Sequence, residues 1–194
     1  MTHSNLPIVR PAIPEDRPEI WQMCRELHAE NGIFGFDEDC VNAMLDKHYQ
    51  RTGGIIGVIG STGRLEASCC LVFADIWHSK SDTHIEEIWN YVKPAYRKSH
   101  NVDALMEFSK AASLKIGVPL MAGVITNKHT AAKVRLYQRH YGTPAGAFFV
   151  WNGTWQNEHE PCVEDFNSLF YVKGKRGNGW HPNLTPATHT AGTA

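Results

Sequence analysis

Apolar positions change their spacing several times along this chain, and each change marks an element. Pro7 to Ile13 is short and largely apolar and predicts a strand. Behind Pro14-Glu15-Asp16, the residues Ile20, Met23, Cys24, Leu27 and His28 recur three and four apart, the stripe of an amphipathic helix. The acidic residues at its start favour the positive end of the helix dipole, and Asn31-Gly32 ends it. Val41, Met44, Leu45 and His48 repeat the stripe over about 37–50. After Gly53-Gly54 the period falls to two. Ile55 to Ile59 and Leu65 to Trp77, separated by Gly60-Ser61-Thr62-Gly63, predict a hairpin. Ile85 to Val92 predicts another strand. Simple alternation puts Glu86, Ile88, Asn90 and Val92 on one face and Glu87, Trp89 and Tyr91 on the other.

The helical period returns over Asp103 to Ile116, with Ala104, Leu105, Phe108, Ala112 and Ile116 inward and Asp103 as a cap or first-turn acid. Leu120 to Thr126 predicts a buried strand, and Thr130 to Tyr141 a helix stopped by Gly142 and Pro144. Ala145 to Trp151 predicts a strand, residues 152–165 a polar loop, and Phe166 to Val172 a last strand. Residues 173–194 are Gly-, Pro- and Thr-rich and predict a flexible tail behind a single domain over 1–172. Strands and helices alternating behind a hairpin give an α/β (α+β) domain with a mixed sheet. A ligand is expected at the carboxyl end of a strand where a helix begins.

Composition narrows the function classes. The 194 residues suffice for one buried core. A net charge of -1 provides no global basic field, so nucleic acid is not an expected partner. The local run Lys93, Arg97, Lys98 and His100 is the best anion-binding candidate. No apolar run approaches the ~18 residues that cross a bilayer, so no membrane contact is expected. Met1-Thr2-His3-Ser4-Asn5 lacks the charged start and apolar run of a signal peptide. The cysteines, at 24, 40, 69, 70 and 162, form no C-x-x-C pair. They predict reduced thiols in a cytoplasmic compartment, with Cys69 and Cys70 pointing to opposite faces of a strand. The eleven histidines show no i, i+4 pair of the zinc-helix kind, so no metal is expected. Neither a Walker loop nor a G-x-S-x-G elbow is present.

One stretch carries a resemblance. Val92-Lys93-Pro94-Ala95-Tyr96-Arg97 leads into the helix at 103, and Asn127, Ala131, Ala132 and Leu136-Tyr137 follow the next strand. Order and spacing resemble the core of the GNAT superfamily of acyl-coenzyme A N-acyltransferases, in a divergent form like those of phages and mobile elements. The resemblance implies a mixed, mostly antiparallel sheet flanked by helices, with acetyl-coenzyme A as cosubstrate. It implies a diphosphate site at Arg97, Lys98, Ser99, His100, Asn101 and Val102, pantetheine contacts at Asn127, and an oxyanion donor at the Val92 amide. It also implies a carboxylate base, Glu86 or Glu87, and Tyr137 as the acid that protonates the leaving thiolate. The sequence departs from the family at its phosphate loop, which usually reads Arg/Gln-x-x-Gly-x-Gly/Ala and here has His100 and Val102 at the glycine places.

The resemblance points to transfer of an acetyl group to a small-molecule or protein amine by direct attack in a ternary complex. The altered loop and the aromatic segment Trp151-Asn152-Gly153-Thr154-Trp155 leave open a GNAT-fold structural or binding protein without turnover, a homo-oligomer or virion component. A phage nucleobase-modifying relative is a third reading, and would need a basic surface that the net charge does not announce.

Overall fold

The computed structural model describes residues 6–32, 35–50, 52–76, 78–79, 82–126, 129–146, 171–173 and 180–182. Residues 1–150 form one compact unit. In chain order it holds β1 (Arg10–Pro11), a 3-10 turn (Pro14–Asp16), α1 (Arg17–Asn31), α2 (Glu38–Tyr49), β2 (Gly54–Ser61), β3 (Arg64–Asp75) and β4 (Thr83–Val92). A second 3-10 turn (Pro94–Tyr96), α3 (Asn101–Ile116), β5 (Leu120–Met121) and α4 (Thr130–Tyr141) follow. Residues 151–194 form a second unit, in which β6 (Tyr171–Lys173) pairs antiparallel with β7 (Trp180–Pro182). β7 falls inside the stretch expected to be a featureless tail. The expected strand over 145–151 and loop over 152–165 lie almost wholly outside the described residues.

The sheet of the first unit runs β1-β2-β3-β4-β5. All its pairs are antiparallel except β4 with β5, which run parallel through Ile85–Leu120 and Glu86–Met121. This is the expected mixed α/β sheet. The strand expected over Leu120–Thr126 pairs only at its first two residues, because β4 and β5 part after Glu86.

Two apolar layers cover the sheet. On one face Ile20, Met23 and Cys24 of α1 and Leu45 of α2 pack on Ile56, Val58, Leu65, Cys70, Trp89 and Tyr91. On the other, Ala104 and Leu105 of α3 pack on Ile59, Ala67 and Cys69, so the two adjacent cysteines do point to opposite faces. Ile20, Leu45 and Leu105 are wholly buried, each worth about 1.5–3 kcal/mol relative to exposure. Gly57 permits the close approach of α3: a Cβ there would lie 2.8 Å from Phe108 Cε1. Ile116, expected inward, is half exposed in the last turn of α3, just before Gly117 closes the helix at a φ of 80°.

Polar groups fix the helices to this frame. Asp37 caps α2 by accepting from the Cys40 amide at 2.9 Å. His48 joins α2 to the sheet: its Nδ1 lies 2.7 Å from the Met44 carbonyl, and its Nε2 lies 3.2 Å from the buried Cys70 sulfur and 3.4 Å from the Leu71 carbonyl.

A register shift in β4 has the largest consequence for the chemistry. Cys70 pairs with Trp89 and Leu71 with Glu87, so Ile88 is an extra residue, a β-bulge. The pleat therefore steps once, not twice, between Glu87 and Trp89, and the two side chains leave opposite faces. The simple alternation expected from sequence fails here. Trp89 and Tyr91 lie under α1 and α2, while Glu87 turns to the α3 and α4 side with Asn90, opposite Cys69. Glu86 takes the α1 and α2 side and is exposed.

Candidate active site

Lys93 to Val102 joins β4 to α3. The 3-10 turn Pro94–Tyr96 sets its path, and Pro94 fits the first position of such a turn. His100 precedes α3 with φ −87° and ψ 18°, values open to any residue. Glycine is therefore not required there by backbone conformation, and only close backbone approach to an anion would favour it. Asn101 is buried and donates its amide to Glu66 Oε2 at 2.9 Å, so its side chain turns into the fold and away from the loop. Ser99 Oγ bridges the Tyr96 carbonyl at 2.6 Å and the Asn101 amide at 3.2 Å. Lys98 and His100 remain at the surface. The amides of Val102 and Asp103, in the first turn of α3, have no hydrogen bond among the described residues.

Three of the loop's basic side chains are already engaged, the first being Lys93, whose Nζ donates to Glu19 Oε1 of α1 at 3.1 Å. Arg97 donates to both carboxylate oxygens of Glu30 on α1, at 2.6 and 2.7 Å, and to the Val92 carbonyl at 3.0 Å. Its guanidinium also lies over the Tyr91 ring, 5.8 Å from the centroid. His100 Nδ1 meets Asp103 Oδ2 at 2.9 Å, and the other Asp103 oxygen meets His140 Nε2 of α4 at 2.9 Å. Asp103 thus ties α3 to α4 from the first-turn position expected for it.

The catalytic candidates separate clearly. Glu86 is exposed, whereas Glu87 is 8% exposed and accepts a hydrogen bond at Oε1 from the Tyr137 hydroxyl. Oε2 of Glu87 is buried without a hydrogen-bond partner among the described residues. The Asn90 amide and the Tyr141 hydroxyl are in the same state and lie close enough to favour the charged carboxyl. Burial nevertheless dominates and raises the Glu87 pKa. Burial also pushes the Tyr137 phenol up, reinforced by the charge of Glu87 and by the hydrogen bond to it. The Cys69 thiol beside them rises to about 12, chiefly through burial. The result is a buried carboxylate–phenol pair between β4 and α4, with Ser109 of α3 at its border.

The Val92 amide is the expected oxyanion donor. The neighbouring Lys93 amide donates to Glu66 of β3 at 2.9 Å. Successive strand amides point to opposite sides, so the Val92 N–H faces away from β3, toward the edge that β5 has left. Asn127 lies outside the described residues. Its neighbour Thr126 donates to Asn31 Oδ1 at 2.6 Å and accepts from Lys133 Nζ at 2.8 Å.

Sequence reasoning did not find Asn90, Tyr141, Lys133 or Glu30. Three of these left a signal. Lys133, Tyr137 and Tyr141 are spaced i, i+4, i+8 and form one stripe on α4. Glu26 and Glu30 are one turn apart on α1 and line a groove of about 530 Å³ with Tyr91, Lys93, Pro94 and Tyr96. Asn90 was hidden by the bulge.

No protein-family model matches the sequence, and no curated protein matches it. Solved structures do. The aminoglycoside acetyltransferase AAC(6')-Iy, bound to a coenzyme A bisubstrate analogue, superimposes with a TM-score of 0.60 at 10% identity, covering 74% of this chain and 95% of that one. A predicted acetyltransferase from Clostridium acetobutylicum, solved with acetyl-coenzyme A, gives 0.60 at 11% identity, covering 75% and 95%. An integron cassette protein from the mobile metagenome of Cole Harbour Salt Marsh gives 0.57 at 17% identity, covering 79% and 91%. Sheet order, the parting of β4 from β5 and these superpositions agree: the chain has a GNAT-like α/β fold.

Proposed function

We propose that this protein is an acyl-coenzyme A-dependent N-acetyltransferase that moves an acetyl group to an amine by direct attack in a ternary complex. The observation that carries the reading is the buried Glu87–Tyr137 pair, set at the part of β4 that β5 no longer covers. A carboxylate base and a phenol acid are the two proton-transfer groups that aminolysis of a thioester needs. The superimposable structures include acetyltransferases solved with coenzyme A ligands, which supports the same class of donor.

The loop residues fit a diphosphate. Lys98 and His100 flank a helix start with unbonded amides, a setting that favours anions. Arg97, Lys98, Ser99 and His100, with the amides of Val102 and Asp103, would hold the diphosphate, and Asn127 is proposed for the pantetheine. Acetyl-coenzyme A supplies the activated thioester. Glu87 takes the proton of the attacking nitrogen, the Val92 amide donates to the developing oxyanion, and Tyr137 donates to the leaving sulfur. Small-molecule amines are the proposed acceptors, in keeping with the aminoglycoside enzymes among the similar structures. A cytoplasmic location is proposed with them.

A second reading, a GNAT-fold binding protein without turnover, draws on the engagement of Arg97 by Glu30 and on the missing loop glycines. Calorimetry with acetyl-coenzyme A separates the two. Micromolar binding that weakens tenfold or more in Arg97→Ala, followed by amine-dependent thiol release, supports the enzyme. No heat at millimolar acetyl-coenzyme A refutes it.

A further inference from the structure

Among the described residues, the partly buried lysines differ in what they meet. Lys93 and Lys110 pair with the carboxylates of Glu19 and Glu107, whereas Lys133 of α4 is held by neutral oxygens. Its Nζ donates to Asn31 Oδ1 at the end of α1 and, at 2.8 Å, to Thr126 Oγ1 on the chain that has left β5. Thr126 itself donates to the same Asn31 oxygen at 2.6 Å, so the amine sits where α1, α4 and the far lip of the opening beside β4 meet. Burial lowers the Lys133 pKa; the charge of Glu30 opposes this and that of Arg97 adds to it. A lysine so placed holds a larger share of neutral, nucleophilic amine than one in open solvent.

Lys133 also flanks the path proposed for the donor. Arg97, assigned to the diphosphate, is near enough for its charge to act on the ammonium. Tyr137, assigned to the sulfur, lies four residues further along the same stripe of α4. Residues four apart on a helix have Cβ atoms about 5–6 Å apart, a distance that a lysine side chain spans. We propose that Lys133 is a self-acetylation site, to which the protein transfers the acetyl group of its own bound acetyl-coenzyme A. This rests on the acetyltransferase reading above and goes beyond it, because the acceptor is a side chain of the chain itself.

The step balances. The neutral Lys133 nitrogen attacks the thioester carbonyl carbon, and a C–N bond forms. The C–S bond breaks, the nitrogen gives up one proton, and the sulfur gains one and leaves as the thiol of coenzyme A. Starting from the ammonium form, one further proton goes to solvent. The product is an uncharged amide with a single N–H. It can donate to Asn31 or to Thr126 but not to both, so the modification also loosens the contact of α1 with α4.

The test incubates the full chain with acetyl-coenzyme A and no added amine, and follows intact mass and the peptide map over time. One acetyl group is expected, on Lys133, arriving about tenfold or more faster than on the exposed Lys47, Lys98 and Lys115. Its rate constant should not depend on protein concentration. Lys133→Arg keeps the charge and should bind acetyl-coenzyme A in calorimetry without gaining the fast acetyl group. Acetylation spread over the exposed lysines with Lys133 no faster, or a rate constant that rises with protein concentration, overturns the proposal. Thiol release with added amines while Lys133 stays unmodified overturns it and leaves the acetyltransferase intact. No binding of acetyl-coenzyme A overturns both. Should Lys133→Arg fail to fold, the wild-type peptide map and its concentration dependence decide alone.

Discussion

Asp16 anchors the start of α1, the helix that carries Glu26 and Glu30, and its ionisation has a stability consequence that can be worked out. The side chain is fully buried. It accepts from Arg10 Nη1 at 2.6 Å and Nη2 at 2.9 Å, from Thr62 Oγ1 at 2.7 Å and from the Ile13 amide at 3.0 Å. Burial alone would raise its pKa, but the donors outweigh it and hold the carboxyl at about 2, against an ordinary 3.8. At 1.36 kcal/mol per pH unit, that displacement contributes roughly 2 kcal/mol of folding stability. The folded value lies below the unfolded one. The contribution is therefore complete above about pH 5 and is lost as the pH falls through the unfolded value toward about 2. Asp16→Asn keeps the shape and removes the charge. Urea unfolding at pH 7 is expected to show the variant roughly 2 kcal/mol less stable, and at pH 2.5 the gap should fall below about 1 kcal/mol. An equal gap at both pH values would refute the reasoning, because it would put the cost in shape and not in charge.

Glu87 is the opposite case. Burial raises its folded pKa, so the penalty on folding grows as the pH rises above the unfolded value and is complete above the folded one, and Glu87→Gln should unfold at higher temperature than wild type at pH 8 with a smaller gain at pH 5; a lower unfolding temperature at pH 8 refutes this. Leu105→Ala removes a wholly buried side chain between α3 and the sheet and should cost about 2–5 kcal/mol in denaturant unfolding. Cys40 is exposed in the first turn of α2, whereas Cys24, Cys69 and Cys70 are buried. Cys40→Ser should therefore remove one equivalent from the fast phase of thiol modification in the native protein; an unchanged amplitude refutes it. Because Arg97 is held by a partly exposed ion pair, Glu30→Gln should tighten acetyl-coenzyme A binding by up to about fivefold, and weaker binding would show that Glu30 positions Arg97 for the donor.

The chain makes some of this legible and hides the rest for physical reasons. The bounds of α4 read off directly as Thr130 to Tyr141, because Gly142 and Pro144 stop a clean helical stripe. The hairpin of β2 and β3 is equally plain, since Gly60 and Gly63 adopt positive φ at its turn, as a tight turn requires. The carboxylate on β4 and the tyrosine on α4 are nameable from the sequence, and the fold brings Glu87 and Tyr137 together. What alternation cannot show is a bulge, because an inserted pleat residue leaves no mark in composition. The pairing of Arg97 with Glu30 is hidden for a different reason: the partners lie 67 residues apart and meet only through tertiary packing.

The bulge at Ile88 decides which carboxylate faces Tyr137. In an unbroken β4, Glu87 would share a face with Trp89 and Tyr91 and would lie against the α1 and α2 layer, with no phenol from α4 within reach. The inserted residue sends Glu87 to the other face, where Tyr137 and Tyr141 descend from α4 and Asn90 joins from the same strand. The same insertion exposes Ile88, an apolar cost that packing does not repay locally. Two local penalties, an exposed isoleucine and a buried carboxylate, thus meet within two residues at the point where β4 loses its partner β5. Local rules broken together at a sheet opening are the pattern expected of a functional site, and they coincide with the residues proposed for catalysis, in a chain whose remaining elements follow those rules. The 93–102 loop departs from the GNAT pattern, whereas the contact of Glu87 with Tyr137 is set by the register of β4 at Ile88, ahead of that loop.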